Sequence, residues 1–261
     1  MAVPGGSARR LAYFLSRPSR STLCAPWPWP ETGVHLRSIP NVGRDPGGRG
    51  STWWSALLAR SVLADDEYRR WSTMWAAPTR RVEWLLGRVA MKDAVRSWAM
   101  TRHGVALAPK MVRIETTSAG APFVRCEALD ERGGSPAVSL AHCRSLVLAA
   151  VGDPGRGLGV DVESENRNVS VLSRALTPEE SAMLEGPYAV LDLLVAKEAA
   201  AKACGTGLGG SLARWPVVGL DPARPGLVVA SPEPDAARVR VVLARRGGVV
   251  ASLAQCDVDH L

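Results

Sequence analysis

Two stretches of helical periodicity, each followed by short extended runs, set the fold class of this chain. Tryptophan and aliphatic residues recur at helical spacing from residue 52 to residue 98, and we expect these tryptophans to fill the core. Short extended runs follow His103. A second helical stretch, Asp192 to Cys204, precedes further extended runs. This succession indicates a fold that combines helices with sheets of short strands.

The turn signals of the second half give sharper expectations. The segment 152–157, Gly-Asp-Pro-Gly-Arg-Gly, lies between two extended runs and predicts an antiparallel hairpin. Thr177 followed by Pro178 and two glutamates is typical of a helix N-terminus. Four later strands are predicted at Val217–Leu220, Leu227–Ala230, Val239–Ala244 and Val249–Leu253.

Apolar length and charge exclude two classes of protein. No uninterrupted apolar run approaches the ~20 residues that a membrane span needs, so a transmembrane protein is excluded. The formal charge of +7 would suggest nucleic-acid binding, but residues 1–50 contain seven arginines and two acids. The rest of the chain is nearly neutral, which argues against a broad phosphate-binding surface. We therefore expect neither a membrane nor a nucleic acid as partner.

The first fifty residues differ from the rest in composition. They are rich in Arg, Pro and Gly, and we expect them to be mostly disordered, whether they are a linker, a leader or a misplaced start. We divide the remainder into an N-terminal half, 51–152, and a C-terminal half, 153–261. Five cysteines without zinc-ligand spacing indicate reduced thiols and a cytoplasmic location.

A pair of carboxylates on the predicted strand 158–163 is the first candidate for chemistry. Alternation along a strand places Asp161 and Glu163 on one face. At ~5 Å and an effective dielectric constant near 20, two such charges repel by about 3 kcal/mol, a cost that a bound cation offsets. Oxygen ligands suit magnesium. A solvated edge strand is the alternative.

The predicted helix carries the second candidate. Glu198 and Lys202 are four residues apart on one face, and Lys197 lies about 100° around the axis. An exposed ion pair is the simplest interpretation. However, two of the four lysines of this arginine-rich chain fall here, and an ammonium group suits a phosphate. His142, at the end of a predicted strand, is either structural or a group that donates a hydrogen bond to a phosphate or orients a substrate.

The two candidates together resemble the signature of the 4'-phosphopantetheinyl transferases. Gly159-Val-Asp-Val-Glu163 matches GxDxE, and Lys197, Glu198 and Lys202 match KExxxK 34 residues later. The resemblance to the larger, surfactin-synthetase type of this family covers further short motifs. These are the turn Gly120-Ala-Pro122, the pair Ala141-His142, Thr177-Pro-Glu-Glu180, and an arginine-rich stretch, Arg80–Arg96, similar to transferase domains found with polyketide synthases.

The resemblance implies a pseudo-twofold α+β fold, in which two similar halves each pack a small antiparallel sheet on a long helix. Coenzyme A and Mg²⁺ would bind in the cleft between the halves. The enzyme would transfer the phosphopantetheine arm to a serine of an acyl or peptidyl carrier protein and release 3',5'-ADP. We expect it to act as a monomer.

The resemblance also assigns roles by position. The implied metal ligands are Asp161, Glu163 and Glu198, and the implied catalytic residues are Glu198, as base for the carrier serine directly or through metal-bound water, and Lys202, on the pyrophosphate. The implied coenzyme A contacts are His142, Arg80 or Arg81, Gly120, Pro122 and Lys197.

Three departures from the family pattern leave an alternative open. Leu194 stands where the family has an aromatic residue three positions before the KE pair. Ala121 replaces the lysine of the family's turn, and Ala141 replaces the serine before the histidine. Loss of the lysine and the serine affects coenzyme A contacts rather than metal ligands. The alternative is a noncatalytic module of the same fold that docks carrier proteins.

Overall fold

The computed structural model describes residues 24–27, 33–41, 51–170, 176–184, 188–221, 226–232 and 238–257. The helices are α1 (Ser51–Val62), α2 (Asp65–Thr73), α3 (Pro78–His103), α4 (Glu127–Asp130), α5 (Pro178–Met183) and α6 (Val190–Ala203), with 3₁₀ turns at Pro109–Met111 and Leu212–Arg214. The strands are β1 (Ala25–Pro26), β2 (His35–Pro40), β3 (Arg113–Thr116), β4 (Pro122–Arg125), β5 (Ala137–His142), β6 (Leu146–Gly152), β7 (Arg156–Ser164), β8 (Val217–Leu220), β9 (Gly226–Ala230), β10 (Arg238–Arg246) and β11 (Val249–Asp257).

The first half packs a long helix on an antiparallel sheet of order β1-β2-β6-β5. Helix α3 begins with Pro78 at its first position and ends at His103, and the next residue, Gly104, forms a left-handed C-cap with a φ of 66°. Its apolar face, including Leu85 and Val89, is buried and lies against β6 and β2. Strands β3 and β4 form a separate two-stranded hairpin.

The second half repeats this plan with helix α6 on an antiparallel sheet of order β7-β11-β10-β9-β8. Helix α5 precedes it and begins as predicted, because Thr177 and Glu180 each accept a hydrogen bond from the other's backbone N–H. Helix α6 lies against β7 and β11. The two halves thus form an α+β fold of antiparallel sheets and helices, which confirms the predicted fold class.

An apolar layer joins the two halves. Leu158, Val160 and Val162 of β7 are buried in one cluster with Leu148 and Ala150 of β6. A hydrogen bond of 3.0 Å from the backbone N–H of Val160 to Ser139 Oγ crosses the same layer. Strand β7 therefore uses one face for the first half, which leaves its other face for α6.

The predicted hairpin between β6 and β7 is wrong. Strand β6 pairs with β2 and β5, whereas β7 pairs with β11, so the turn at 152–157 carries the chain from one sheet to the other. The physical reason is that both strands are apolar on the faces that meet. They bury more apolar surface by stacking face to face than by pairing edge to edge.

The expectation of disorder in residues 1–50 is also wrong for part of that segment. Strand β2 pairs along its whole length with β6, and its Leu36 is buried in the layer between the halves. The backbone N–H of Cys24 donates to Asp93, and the side chain of Asn41 donates to the carbonyl of Cys143. Prolines are tolerated because Pro40 ends its strand. The rest of that expectation lies outside the described residues.

The tryptophans divide between core and surface. Trp71 and Trp98 are buried as predicted, whereas Trp75, in the loop before α3, is fully exposed at 102% and the prediction is wrong there. The side chain of Trp53 lies outside the described residues. In the described part of the chain, no helix has the length and apolarity that a bilayer crossing requires.

Candidate active site

Two glycines bring α6 into direct contact with β7. A Cβ placed on Gly159 would lie 1.9 Å from the carbonyl oxygen of Ala199, and one on Gly157 would lie 2.2 Å from that of Ala203. Gly157 and Gly159 are two residues apart on the strand, a distance of about 6.6 Å, and the helix residues that they contact are four apart, a rise of about 6 Å. Because these distances are nearly equal, both contacts form at the same time. No other residue type fits at Gly159 without separating the helix from the strand.

The face of β7 that carries these glycines continues with the predicted carboxylates. Lys202 of α6 donates from Nζ to Asp161 Oδ1 over 2.8 Å and to the carbonyl of Val160 over 3.0 Å. The Asp161 side chain is only 10% exposed, and its buried Oδ2 has no hydrogen-bond partner among the described residues. The close packing at Gly159 therefore positions Lys202 on the first carboxylate and leaves one oxygen of that carboxylate unsatisfied.

Glu163 forms an ion pair with a residue that sequence reasoning missed. The Arg167 guanidinium, in the turn after β7, contacts Glu163 Oε1. Both side chains are partly exposed, at 37% for Arg167 and 21% for Glu163. The only signal in the sequence was an arginine four residues after an acid, and no helical or strand pattern links the two positions.

Glu198 completes the cluster on the helix side. Burial and the nearby Asp161 carboxylate raise the pKa of Glu198 above its usual value, while Lys202 and Arg167 oppose the rise. A carboxyl group with a raised pKa holds a proton more readily, which suits a group that accepts one during a reaction. The structure thus brings four predicted residues together, Asp161, Glu163, Glu198 and Lys202, and their roles stay predictions.

The carboxylates of this cluster fit a metal ion in their chemistry but are not arranged as a finished metal site. The unsatisfied oxygen of Asp161 and an all-carboxylate set of donors suit Mg²⁺. Nevertheless, among the residues that the structure describes, no three His, Cys, Asp or Glu side chains form a group that could hold a metal ion. Lys202 and Arg167 each engage one of the carboxylates instead.

Lys197, which was predicted to contact coenzyme A, is buried in the second half, and that contact stays a prediction. Its side chain is 1% exposed, and its ammonium lies 2.6 Å from Glu180 Oε1 and donates to the carbonyl of Leu212. Glu180 also accepts from the backbone N–H groups of Val217 and Thr177. The helical offset of about 100° from Glu198 turns Lys197 into the interior of the second half. The pair of Lys197 and Glu180 therefore links α5, α6 and β8.

We expect Lys197→Ala to destabilise the fold by about 3 to 5 kcal/mol, because it leaves the Glu180 carboxylate buried and unpaired. Urea unfolding followed by circular dichroism measures the change. Lys110→Ala, at an exposed lysine of the first half, is the matched control and should change stability by less than about 0.5 kcal/mol. Equal stability of the two variants would contradict the structural role.

The other predicted contacts lie in the first half. His142 is exposed at the end of β5, Gly120 adopts φ 89° in the turn between β3 and β4, and Pro122 begins β4. Arg80 is exposed and lies 3.8 Å from Glu83, whereas Arg81 stacks over the Trp71 ring at 4.9 Å. These residues belong to elements other than β7 and α6 and are not members of the carboxylate cluster.

Comparison with known proteins covers the second half most directly. The model of the 4'-phosphopantetheinyl transferase superfamily matches residues 157–253. A search of curated proteins gave no match. Among solved structures, holo-[acyl-carrier-protein] synthase from Neisseria meningitidis is similar at 17% identity and a TM-score of 0.36, over 46% of this chain and 94% of that one. The synthase from Thermotoga maritima is similar at 20% identity and a TM-score of 0.32, over 56% of this chain and 74% of that one.

The matched segment begins at Gly157 and ends at Leu253, and so includes the β7 carboxylates, the whole of α6 and most of β11. The segment of this chain that is similar to the 4'-phosphopantetheinyl transferase superfamily is therefore the segment that carries the carboxylates and Lys202.

Proposed function

We propose that the chain transfers the 4'-phosphopantetheine arm of coenzyme A to a serine of an acyl or peptidyl carrier protein. The observation that carries the proposal is the cluster of three carboxylates with Lys202, which lies inside the segment that matches the superfamily. A carboxylate cluster beside a lysine supplies the charge neutralisation and positioning that phosphoryl transfer needs.

The proposed reaction is a displacement at the phosphorus that carries the pantetheine arm. The serine oxygen forms a bond to this phosphorus, and the bond from the phosphorus to the bridging oxygen of the pyrophosphate breaks. The leaving group is 3',5'-ADP, which keeps the electron pair of the broken bond. The serine proton passes to the enzyme, so the products are the holo carrier protein, 3',5'-ADP and a proton.

Glu198 is the proposed acceptor of the serine proton. Its pKa is raised by burial and by Asp161, which makes it a better proton acceptor than an exposed glutamate. It lies on the helix, whereas the other carboxylates lie on the strand, so it can face a carrier serine from one side. Transfer of the proton to Glu198 also reduces the negative charge of the cluster.

Lys202 is the proposed ligand of the pyrophosphate, because its side chain is 31% exposed and its ammonium carries the positive charge that binds a phosphate group. Asp161, Glu163 and Glu198 would hold Mg²⁺, which when bound neutralises charge on the pyrophosphate. The unsatisfied oxygen of Asp161 supports this assignment. Ala141 and Ala121 replace two polar contacts of the family, so the arginines of α3 would supply more of the affinity for coenzyme A.

A carrier-docking module without catalysis is the second candidate. Two observations favour it. Ala121 and Ala141 lack the polar groups that would contact coenzyme A, and ion pairs already neutralise Asp161 and Glu163. Calorimetry distinguishes the candidates, with coenzyme A titrated into the chain in the presence of Mg²⁺. A transferase should bind coenzyme A with a measurable heat. Its affinity for coenzyme A should fall about tenfold or more in Lys202→Ala but not in the control Lys110→Ala. A docking module should retain a carrier protein and give no heat with coenzyme A.

A further inference from the structure

Two positively charged side chains already contact the carboxylates that are proposed to bind a metal ion. Lys202 contacts Asp161, and Arg167 contacts Glu163. Three acids therefore face two fixed positive charges, which leaves the cluster with about one net negative charge when all are ionised. A divalent cation would add two further positive charges next to an ammonium and a guanidinium, which is unfavourable unless one of them leaves.

The two cations differ in how firmly they are held. Lys202 bonds to a backbone carbonyl as well as to Asp161, and it projects from a helix that the glycines hold against the strand. Arg167 follows the end of β7, and the turn is closed by a hydrogen bond of 2.9 Å from its backbone N–H to Ser164. Its ion pair is partly exposed, and such pairs are weak. Arg167 is therefore the cation that can leave at low cost.

We propose that Arg167 is an internal counter-ion that competes with a divalent cation for Glu163, so that metal binding displaces its guanidinium. This inference rests on the proposed function, because it assumes that the cluster binds a divalent ion. It goes beyond that function by assigning a residue outside both signature motifs to the control of metal affinity. Asp161 Oδ2, which is buried and has no hydrogen-bond partner in the described part of the chain, is the oxygen that the metal takes without displacing any of these groups.

The test uses Mn²⁺ alone, whose free concentration is measured by electron paramagnetic resonance during titration of the full chain. Arg167→Ala should bind Mn²⁺ about tenfold more tightly than the wild type, which corresponds to about 1.4 kcal/mol. Arg167→Lys, which keeps a cation at this position, should bind within about threefold of the wild type. Circular dichroism establishes that each variant is folded.

The matched control is Arg238→Ala, which removes the same charge from an exposed arginine of β10. In register, Arg240 pairs with Gln255 and Gln255 pairs with Leu158, so Arg238 lies toward the end of the sheet opposite to Glu163. Its Mn²⁺ affinity should equal that of the wild type. In a Glu163→Gln background, Arg167→Ala should no longer tighten binding, because the group for which it competes is gone.

Equal Mn²⁺ affinity of Arg167→Ala and the wild type overturns the inference, and so does the absence of Mn²⁺ binding from both. An equal increase of Mn²⁺ affinity in Arg238→Ala also overturns the inference, because the net charge of the chain alone would then explain the tighter binding. The measurement is independent of transfer. If the chain transfers phosphopantetheine but Arg167→Ala does not bind Mn²⁺ more tightly, the proposed function stands and the inference is wrong. If Arg167→Ala binds Mn²⁺ more tightly but the chain does not transfer phosphopantetheine, the inference stands and the proposed function is wrong.

Discussion

Gly159→Ala should destabilise the protein by about 3 kcal/mol or more. The added Cβ would lie 1.9 Å from the carbonyl oxygen of Ala199 and 2.7 Å from the backbone N of Ala203. These are backbone atoms of α6, so they cannot turn away as a flexible side chain would, and the helix must separate from β7. For a chain of this size, such a loss lowers Tm by roughly 6 to 12 °C, which differential scanning calorimetry measures.

The matched control is Gly219→Ala in β8, another strand glycine with an ordinary φ. A Cβ there meets no atom of the described residues within 4 Å, so we expect the Tm of Gly219→Ala to stay within about 2 °C of the wild type or to rise slightly. Equal Tm values for the two variants would contradict the proposed packing of α6 on β7. Gly159→Ala should also impair transfer, because Lys202 and Glu198 move away from Asp161 together with the helix.

Glu198→Gln should reduce transfer by roughly 10³-fold or more, because it removes the proposed proton acceptor and one negative charge of the metal cluster. The fold should persist, since glutamine has the same shape. Stability should even rise slightly, because burial and the like charge of Asp161, which raise the pKa of Glu198, disfavour a charged group at this position. The rate of holo carrier formation and the Tm are measured on the same preparation.

Glu165→Gln is the control for this loss of charge. Glu165 follows β7 and lies 3.6 Å from Arg245, outside the cluster, so its substitution should leave the rate within about twofold. A Glu198→Gln enzyme that works at the wild-type rate would remove Glu198 from the mechanism. If Glu198→Gln lowers both the transfer rate and the Tm, the result would indicate a structural role for Glu198 instead.

Sequence alone predicted the elements of the second half well, since their patterns are local. The alternation that placed Asp161 and Glu163 on one face is seen in β7, and the predicted strand Val217–Leu220 coincides with β8. The capping pattern at Thr177 starts α5 as expected. These features depend on neighbours in sequence, and the physics of caps and alternation is contained in a few residues.

The errors concern partners that are distant in sequence. The apolar run of β6 identified a strand but not whether it would pair with or stack on β7. Pro- and Gly-rich composition concealed β2, whose stability comes from pairing with β6 more than a hundred residues later. The periodicity around Trp75 indicated burial, although the helix that it suggested ends at Thr73.

Within the site, the sequence identified the residues that share a face and missed those whose role depends on tertiary contacts. Lys197 sits beside Glu198 in sequence, but helical geometry directs it to Glu180. Arg167 follows the strand with no periodic relation to it and reaches Glu163 only through the turn. The glycine spacing that matches the rise of α6 is visible in the sequence only after the helix that contacts it is known.

The central claim, that this cluster transfers phosphopantetheine, is tested most directly by the intact mass of an apo carrier protein incubated with the chain, coenzyme A and Mg²⁺. Carriers from fatty-acid, polyketide and nonribosomal-peptide systems are assayed in parallel, and Glu198→Gln serves as the inactive reference. We predict that at least one carrier gains the mass of one phosphopantetheine arm on its serine, with an equal amount of 3',5'-ADP released. An unchanged mass for every carrier with the folded wild-type chain would contradict the claim.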